Sequence, residues 1–391
     1  MSHAIETAAS AGAGLRRWLT QAALPLWSSA GWDAERGIFQ EALTRDGAPT
    51  GLLRRARVQA RQIWVFATVA RLTQDTRLAA LARQGYEGYL HRYAAPNGLF
   101  IMALHADETT ADGRTPLYEQ AFSLLAMAAM QALDGGCDAR ADALLRSLEA
   151  LRHGGGGWRE LGDQPFQANA HMHLFEAALD WEALDPEGWR ETADEIASLA
   201  LRRFFDPQAS VVQEFFTPDW RPLGPEEGGL IEPGHQFEWA WLLDRWGRRR
   251  GSEAAIAAAH RLYAAGRRGV DARNVVVGSV WPDFRVRDPV ARFWAQAERL
   301  RADVVFGAEA DVVASASSLA RYLATPVAGA FHDKLDAAGG FLEEPAPATS
   351  LYHALGAVLA LRSEGAAADL GTTSELRGPA PARPRPCGRG D

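Results

Sequence analysis

The stretch EPGHQFEWAWLLDRW, from Glu232, sets His235 and Glu238 three residues apart behind a Pro-Gly turn and ahead of an apolar, Trp-rich run. Pro before a run of that period predicts a helix whose first turn carries both side chains on one face. A carboxylate beside an imidazole fixes its tautomer and favours its protonated form, as a general acid/base near neutral pH requires. A helix N-terminus also favours an acid and a capping histidine on electrostatic grounds alone, so the pair is open to both readings. The spacing recurs in NAHMHLFEAALDW, from Asn169, where His173 and Glu176 again stand three apart. His171 and His173 would share a metal from a strand, but on a helix a two-residue step separates them by about 200°. A common metal is therefore not expected, and a satisfied core histidine is the alternative.

Other polar groups lie on stripes that otherwise look like core. RARVQARQIWVF aligns Arg57, Arg61 and Trp64 at i, i+4 and i+7, and a charge facing inward needs a polar cavity or a partner. RFWAQAERL places Trp294 and Glu298 one turn apart, PLYEQAFSLLAMAAM opens a helix with Tyr118, and SLYHALGAVLAL opens the last one with Tyr352 and His353. Each alone fits a solvated edge or an aromatic core contact equally well.

These residues need elements that bring them together. Periods of three to four predict twelve helices, over 15–27, 57–72, 79–93, 118–133, 139–151, 168–184, 189–205, 235–246, 254–265, 290–304, 311–323 and 350–362. Between pairs lie GIFQE, GLFIM, GGWRE, SVVQEF, NVVVGS and GGFLEE, turn signals followed by β-branched or aromatic residues, which predict strands or hairpins. They recur roughly every 54 to 66 residues, the mark of a repeated unit. Six helix hairpins, each with one apolar face, close most simply into a ring, so the expected fold is an all-α (α/α)6 barrel with short β-hairpin insertions. An open solenoid is the alternative, but its inner helices would not be this apolar. The even-numbered helices begin near Tyr118, His173, His235, Trp294 and His353. In a ring those starts meet at one mouth, giving an aromatic-walled pocket with several histidines, suited to a sugar.

Composition agrees with a single catalytic barrel over 1–363 and a disordered tail over 364–391, where GPAPARPRPCGRGD is rich in Pro, Gly and Arg. The 391 residues are 47% hydrophobic and 23% charged, with a net charge of -8 spread along the chain, so nucleic acid is not an expected partner. Cys137 and Cys387 form no disulfide framework or thiolate metal site, and neither a leader pattern nor a membrane-length apolar run is seen. The expectation is a cytoplasmic protein, monomeric or homodimeric, off the membrane.

As a set and in this order, ARQIWVF, YEQAF, NAHMHLFEA, PGHQFEWAWLL, WAQAE and SLYHAL resemble the N-acylglucosamine 2-epimerase family, over about 15–362. That family includes cellobiose 2-epimerases, mannose isomerases and some bacterial mannose-6-phosphate isomerases, and its fold is an (α/α)6 barrel. The resemblance implies that His235 and His353 are the acid/base pair acting at C1 and C2 of an open-chain sugar. It implies that Arg61, or less directly Arg57, binds the oxygen where negative charge develops. Tyr118, His173, Glu238, Trp294 and Glu298 fall at positions that bind substrate or orient the histidines, with Trp64 beside them, and no metal or cofactor is required. The favoured activity is interconversion of D-mannose and D-fructose through an enediolate. Mannose-6-phosphate isomerisation, 2-epimerisation of cellobiose or an N-acyl hexosamine, and a sugar-binding barrel without turnover are the alternatives.

Overall fold

The computed structural model describes residues 7–363, so the expected tail at 364–391 lies outside the described residues. Twelve helices run through it. The first, α1, is Ala8–Trp18, continued through a π turn, Leu19–Ala23, into Leu24–Ser29. Then come α2 (Ala56–Thr73), α3 (Thr76–Tyr93), α4 (Leu117–Asp134), α5 (Asp138–Ser147), α6 (Ala168–Leu184) and α7 (Pro186–Leu199). The second half holds α8 (Pro233–Arg250), α9 (Glu253–Arg268), α10 (Phe293–Phe306), α11 (Glu309–Tyr322) and α12 (Ser350–Ser363). The helix expected over 290–304 starts three residues late, because Ala291–Arg292 is a strand paired with Lys334–Leu335.

The even-numbered helices pack side by side in chain order and α12 closes on α2, while the odd-numbered ones form an outer layer, with α1 against α11 and α12. Burial explains the division. In α2 every residue from Val58 to Ala70 is buried, as a helix enclosed on all sides must be. Outer helices instead carry local N-terminal signals: Asp75 caps α3, Asp185 caps α7 ahead of Pro186, and Ser252 caps α9.

All six expected connecting segments enter antiparallel pairs: Ile38–Phe39 with Trp32–Asp33, Val211–Val212 with Phe205–Asp206, and single bridges at Phe100, Trp158, Val276 and Phe341. A recurrent bond joins these hairpins to the inner ring. Gln59, Gln120, Gln236 and Gln296 each donate to the carbonyl and accept from the N–H of one hairpin residue, respectively Phe39, Phe100, Val212 and Val276, at 2.7–3.0 Å. In α6 the same place belongs to His171, whose Nε2 accepts from Trp158 N at 3.0 Å. Each anchor satisfies buried backbone groups that would otherwise be orphaned.

Two residues beyond an anchor, a helix has turned about 200°, so the next side chain but one faces the axis. Those residues are Arg61, Phe122, His173, Glu238 and Glu298, in the triplets QAR, QAF, HMH, QFE and QAE. The repeated fold thus places five inward groups by one rule.

Candidate active site

The inner helices begin at the same end of the barrel, around a cavity of about 150 Å³. Its lining includes Arg61, Tyr118, His173, His235, Glu238, Trp294 and His353, seven of the ten residues singled out in the sequence. It shares Arg61, Tyr118, Asn169, Arg292 and Thr349 with a wider mouth of about 900 Å³, where Arg57 lies. Glu298, fully buried, sits behind His353. Trp64 does not join them. It borders a separate cavity of about 450 Å³ with Glu176 and Arg301, because seven residues along a helix carry it about 10 Å below Arg57.

Trp294 stands between the two histidines, its ring centroid 5.0 Å from that of His235 and 5.7 Å from that of His353. The close approach needs Gly234, where a Cβ would lie 2.5 Å from the Trp294 ring. This gives the Pro-Gly turn a second purpose beyond starting α8.

His235 is not paired with Glu238 as its spacing suggested. Its Nδ1 lies 2.9 Å from Glu214 and 3.8 Å from Glu232. Side chains on a helix lean towards its N-terminus, so His235 tilts up to the loop that carries Glu214, and Glu238 lies one turn deeper. Burial disfavours the imidazolium, but Glu214, hydrogen-bonded to Nδ1, and Glu232 outweigh it and raise the His235 pKa well above the ordinary value. His235 is therefore protonated at neutral pH.

His353 has the opposite character. Burial, then the cations Arg61, Arg301 and Arg292, hold it well below the ordinary histidine range. Its Nδ1 is 2.7 Å from Glu298. Burial, reinforced by Glu176 against Arg301, raises Glu298 to about 7. Above that pH the Nδ1–H donates to the carboxylate and Nε2 keeps a free lone pair; below it, protonated Glu298 donates to Nδ1 and the pair titrates as one unit.

The remaining groups complete the wall. Arg61 donates to Tyr118 Oη at 3.0 Å and to the Thr349 hydroxyl, and its guanidinium lies 4.0 Å from the Phe122 centroid, with no carboxylate in salt-bridge range among the described residues. Glu238 is 2% exposed, and burial with the nearby Glu298 raises its pKa well above the usual range, so it is a neutral acid whose Oε2 has no hydrogen-bond partner among the described residues. His173 and Glu176 approach to 3.6 Å, as their spacing predicts. Burial lowers His173 to about 4, and His173 with Arg301 holds Glu176 near 2 against its own burial. Tyr352 also donates to Glu176.

The sequence reading missed Glu214, Glu232, Arg292 and Arg301. Glu214 sits in SVVQEF, read only as a strand, and nothing local marks it as a partner for a residue 21 positions later. Metal-ligand spacing was likewise absent from the sequence, yet the fold assembles two groups, Glu214–Glu232–His235 and Glu238–Glu298–His353, whose ligand atoms lie within 4.8 Å of one another. A cation there would have to displace protons, because imidazolium His235 offers no ring lone pair and neutral Glu238 no charge. As charged, both groups share protons.

Among the described residues no helix is long and apolar enough to cross a membrane. The sequence pattern of the N-acylglucosamine 2-epimerase family matches residues 37–357. A protein of Rhizobium meliloti (strain 1021), named mannose-6-phosphate isomerase, is 42% identical over 369 residues, covering 89% of this chain and 95% of that one. A solved D-mannose isomerase superposes with a TM-score of 0.79 at 21% identity, over 92% of this chain and 99% of its own. Cellobiose 2-epimerase from Bacillus thermoamylovorans B4167 gives 0.79 at 17% identity, over 89% and 97%. Both structures support the (α/α)6 barrel fold.

Proposed function

The chain belongs to the N-acylglucosamine 2-epimerase family and is an isomerase, and from that premise we propose that it interconverts an aldose of the mannose configuration with its 2-ketose, D-mannose with D-fructose, through an enediolate. The observation that carries this reading is the pair of buried histidines flanking Trp294, whose environments drive their proton affinities apart. Such divergence assigns acid and base. Neutral His353, with Nδ1 donating to Glu298, takes the C2 proton on Nε2. The C–H electron pair becomes the C1–C2 double bond, and the carbonyl electrons move onto O1. Arg61 stabilises that oxyanion while His235 gives O1 its proton. His235 then accepts the O2 proton as His353 returns one to C1, leaving a carbonyl at C2. Neutral Glu238 donates a hydrogen bond to a sugar oxygen.

Isomerisation needs one base that returns its proton to C1, whereas epimerisation needs an acceptor on one face of C2 and a donor on the other; the isomerase name of the 42% identical relative favours the first. A binding barrel would not need two histidines tuned in opposite senses. A second reading, mannose-6-phosphate as substrate, is favoured by the name of the 42% identical relative. The test assays mannose, mannose-6-phosphate, cellobiose and N-acetylmannosamine side by side in deuterated water. The reading expects a ketose from one of the mannose sugars, with solvent deuterium at C1. Turnover without label, or only a C2 epimer, would overturn it.

A further inference from the structure

We propose that Arg292, with Lys334 beside it, binds an anionic group at the far end of the substrate and so favours the second reading above, a 6-phosphorylated over a free hexose; this rests on the isomerase reading above. The protein carries a net charge of -8, yet its mouth is lined by Arg55, Arg57, Arg61, Arg114, Arg292 and Lys334 against only Glu160, Asp288 and Asp333. That local reversal attracts anions.

Those three acids are engaged elsewhere. Glu160 accepts from Leu117 N and Tyr118 N at 2.8 Å, capping α4. Asp288 accepts from Val290 N at 3.0 Å within its own turn. Asp333, buried, accepts from the Ser350 hydroxyl at 3.5 Å. Most cations are engaged too: Arg55 with Glu41, Arg57 with Glu119 and Arg114 with Asp112. Arg292 is the exception. Its nearest carboxylate, Asp333, is 4.0 Å away, and its side chain makes no hydrogen bond among the described residues.

Position makes that spare guanidinium useful. Arg292 borders the deep cavity, the mouth and a side cavity of about 150 Å³ that also holds Arg287. A sugar with C1 and C2 between the histidines has the rest of its chain running out past Arg292. On the paired strands Arg292 stands directly opposite Lys334, a like-charge placement that costs stability unless an anion bridges it. Among the described residues Lys334 pairs only with Glu344, in a partly exposed contact at 2.9 Å, and such pairs exchange partners at little cost. A guanidinium fork and an ammonium suit a phosphate dianion.

The experiment measures kcat/KM for mannose-6-phosphate and for mannose with the full chain, Arg292→Gln, Arg292→Lys and Lys334→Gln. The ratio of the two specificity constants should fall about 10- to 100-fold in Arg292→Gln, the usual effect of losing a charged hydrogen bond, and less in the other two. Inorganic phosphate, titrated calorimetrically without sugar, should bind wild type more tightly than Arg292→Gln by a similar factor. An unchanged ratio, with both sugars losing equally, would place Arg292 at the reacting carbons and overturn the proposal. Equal phosphate affinity in wild type and Arg292→Gln would overturn it as well. If wild type turns over neither sugar, the isomerase reading fails, and the phosphate titration still decides the anion site.

Discussion

Replacing Glu214 by Gln tests which carboxylate governs His235. The substitution keeps the shape and one hydrogen bond but removes the charge 2.9 Å from Nδ1. A buried charged hydrogen bond contributes about 1.5–3 kcal/mol. At 1.36 kcal/mol per pKa unit, His235 should drop by about one to two units, towards the lower figure because Glu232 remains 3.8 Å away. In wild type, kcat/KM should rise as pH passes about 7, where the Glu298–His353 pair frees Nε2. It should fall again only well above the ordinary histidine pKa, where His235 loses its proton. Glu214→Gln should bring the alkaline limb down by about one to two units, by the same arithmetic, and leave the acid limb in place. Stability follows the same sign. A raised histidine pKa contributes stability that is fully present below its unfolded value and is lost as pH rises through its folded value, so the stability gap between wild type and variant should close at alkaline pH. The assay is kcat/KM across the pH range for wild type, Glu214→Gln and Glu238→Gln. An alkaline limb that stays put in Glu214→Gln but moves in Glu238→Gln would refute the pairing argued from the structure and restore the one suggested by spacing.

His235→Asn and His353→Asn should each lower kcat by about 10²–10⁴ with the fold intact by circular dichroism, and together by less than the product, since they act on one proton path. Arg61→Ala should also lower kcat, and a normal rate would remove it from the oxyanion. His171→Gln should retain activity and lose no more than about 1.5 kcal/mol in denaturant unfolding, because four other inner helices use Gln at that place. His171→Ala should lose about 2–4 kcal/mol, from an unsatisfied Trp158 N–H and a cavity. Exhaustive chelation should leave turnover unchanged; loss restored by a divalent cation would instead mean that one of the two His–Glu groups takes a metal.

The inner helices were legible because burial on all sides leaves long apolar runs, and their chain order set the ring. Seven of the ten chosen residues line one cavity: Arg61, His173 and Glu238 because the triplets QAR, HMH and QFE repeat an outward anchor followed by an inward group, and Tyr118, His235, Trp294 and His353 because the inner helices begin at that end. That rule also explains why His171 anchors a hairpin while His173 lines the cavity. What stayed hidden was contact between distant segments. Glu214 and His235 meet through a hairpin loop, and Arg292 faces three cavities only after its strand pairs with Lys334. The lean of helical side chains towards the N-terminus decided between Glu214 and Glu238, and spacing along one helix carries no information about which loop lies above it.

The seam where α12 meets α2 has a consequence for how the molecule is made. Ala42–Leu43 pairs with Ala346–Pro347, Trp27 Nε1 donates to Gly329 O, and Gln62 donates to Ala348 O, contacts 286 and 302 residues apart for the latter two in reverse order. An open stack of repeats can grow or shrink by one unit and keep its interfaces; a closed ring has no dispensable member. While the chain is being synthesised, the apolar face of α2 waits uncovered until the last helix emerges, and that helix also brings His353. Every earlier intermediate thus lacks the histidine proposed as the base and keeps an apolar face open to aggregation until the two ends join.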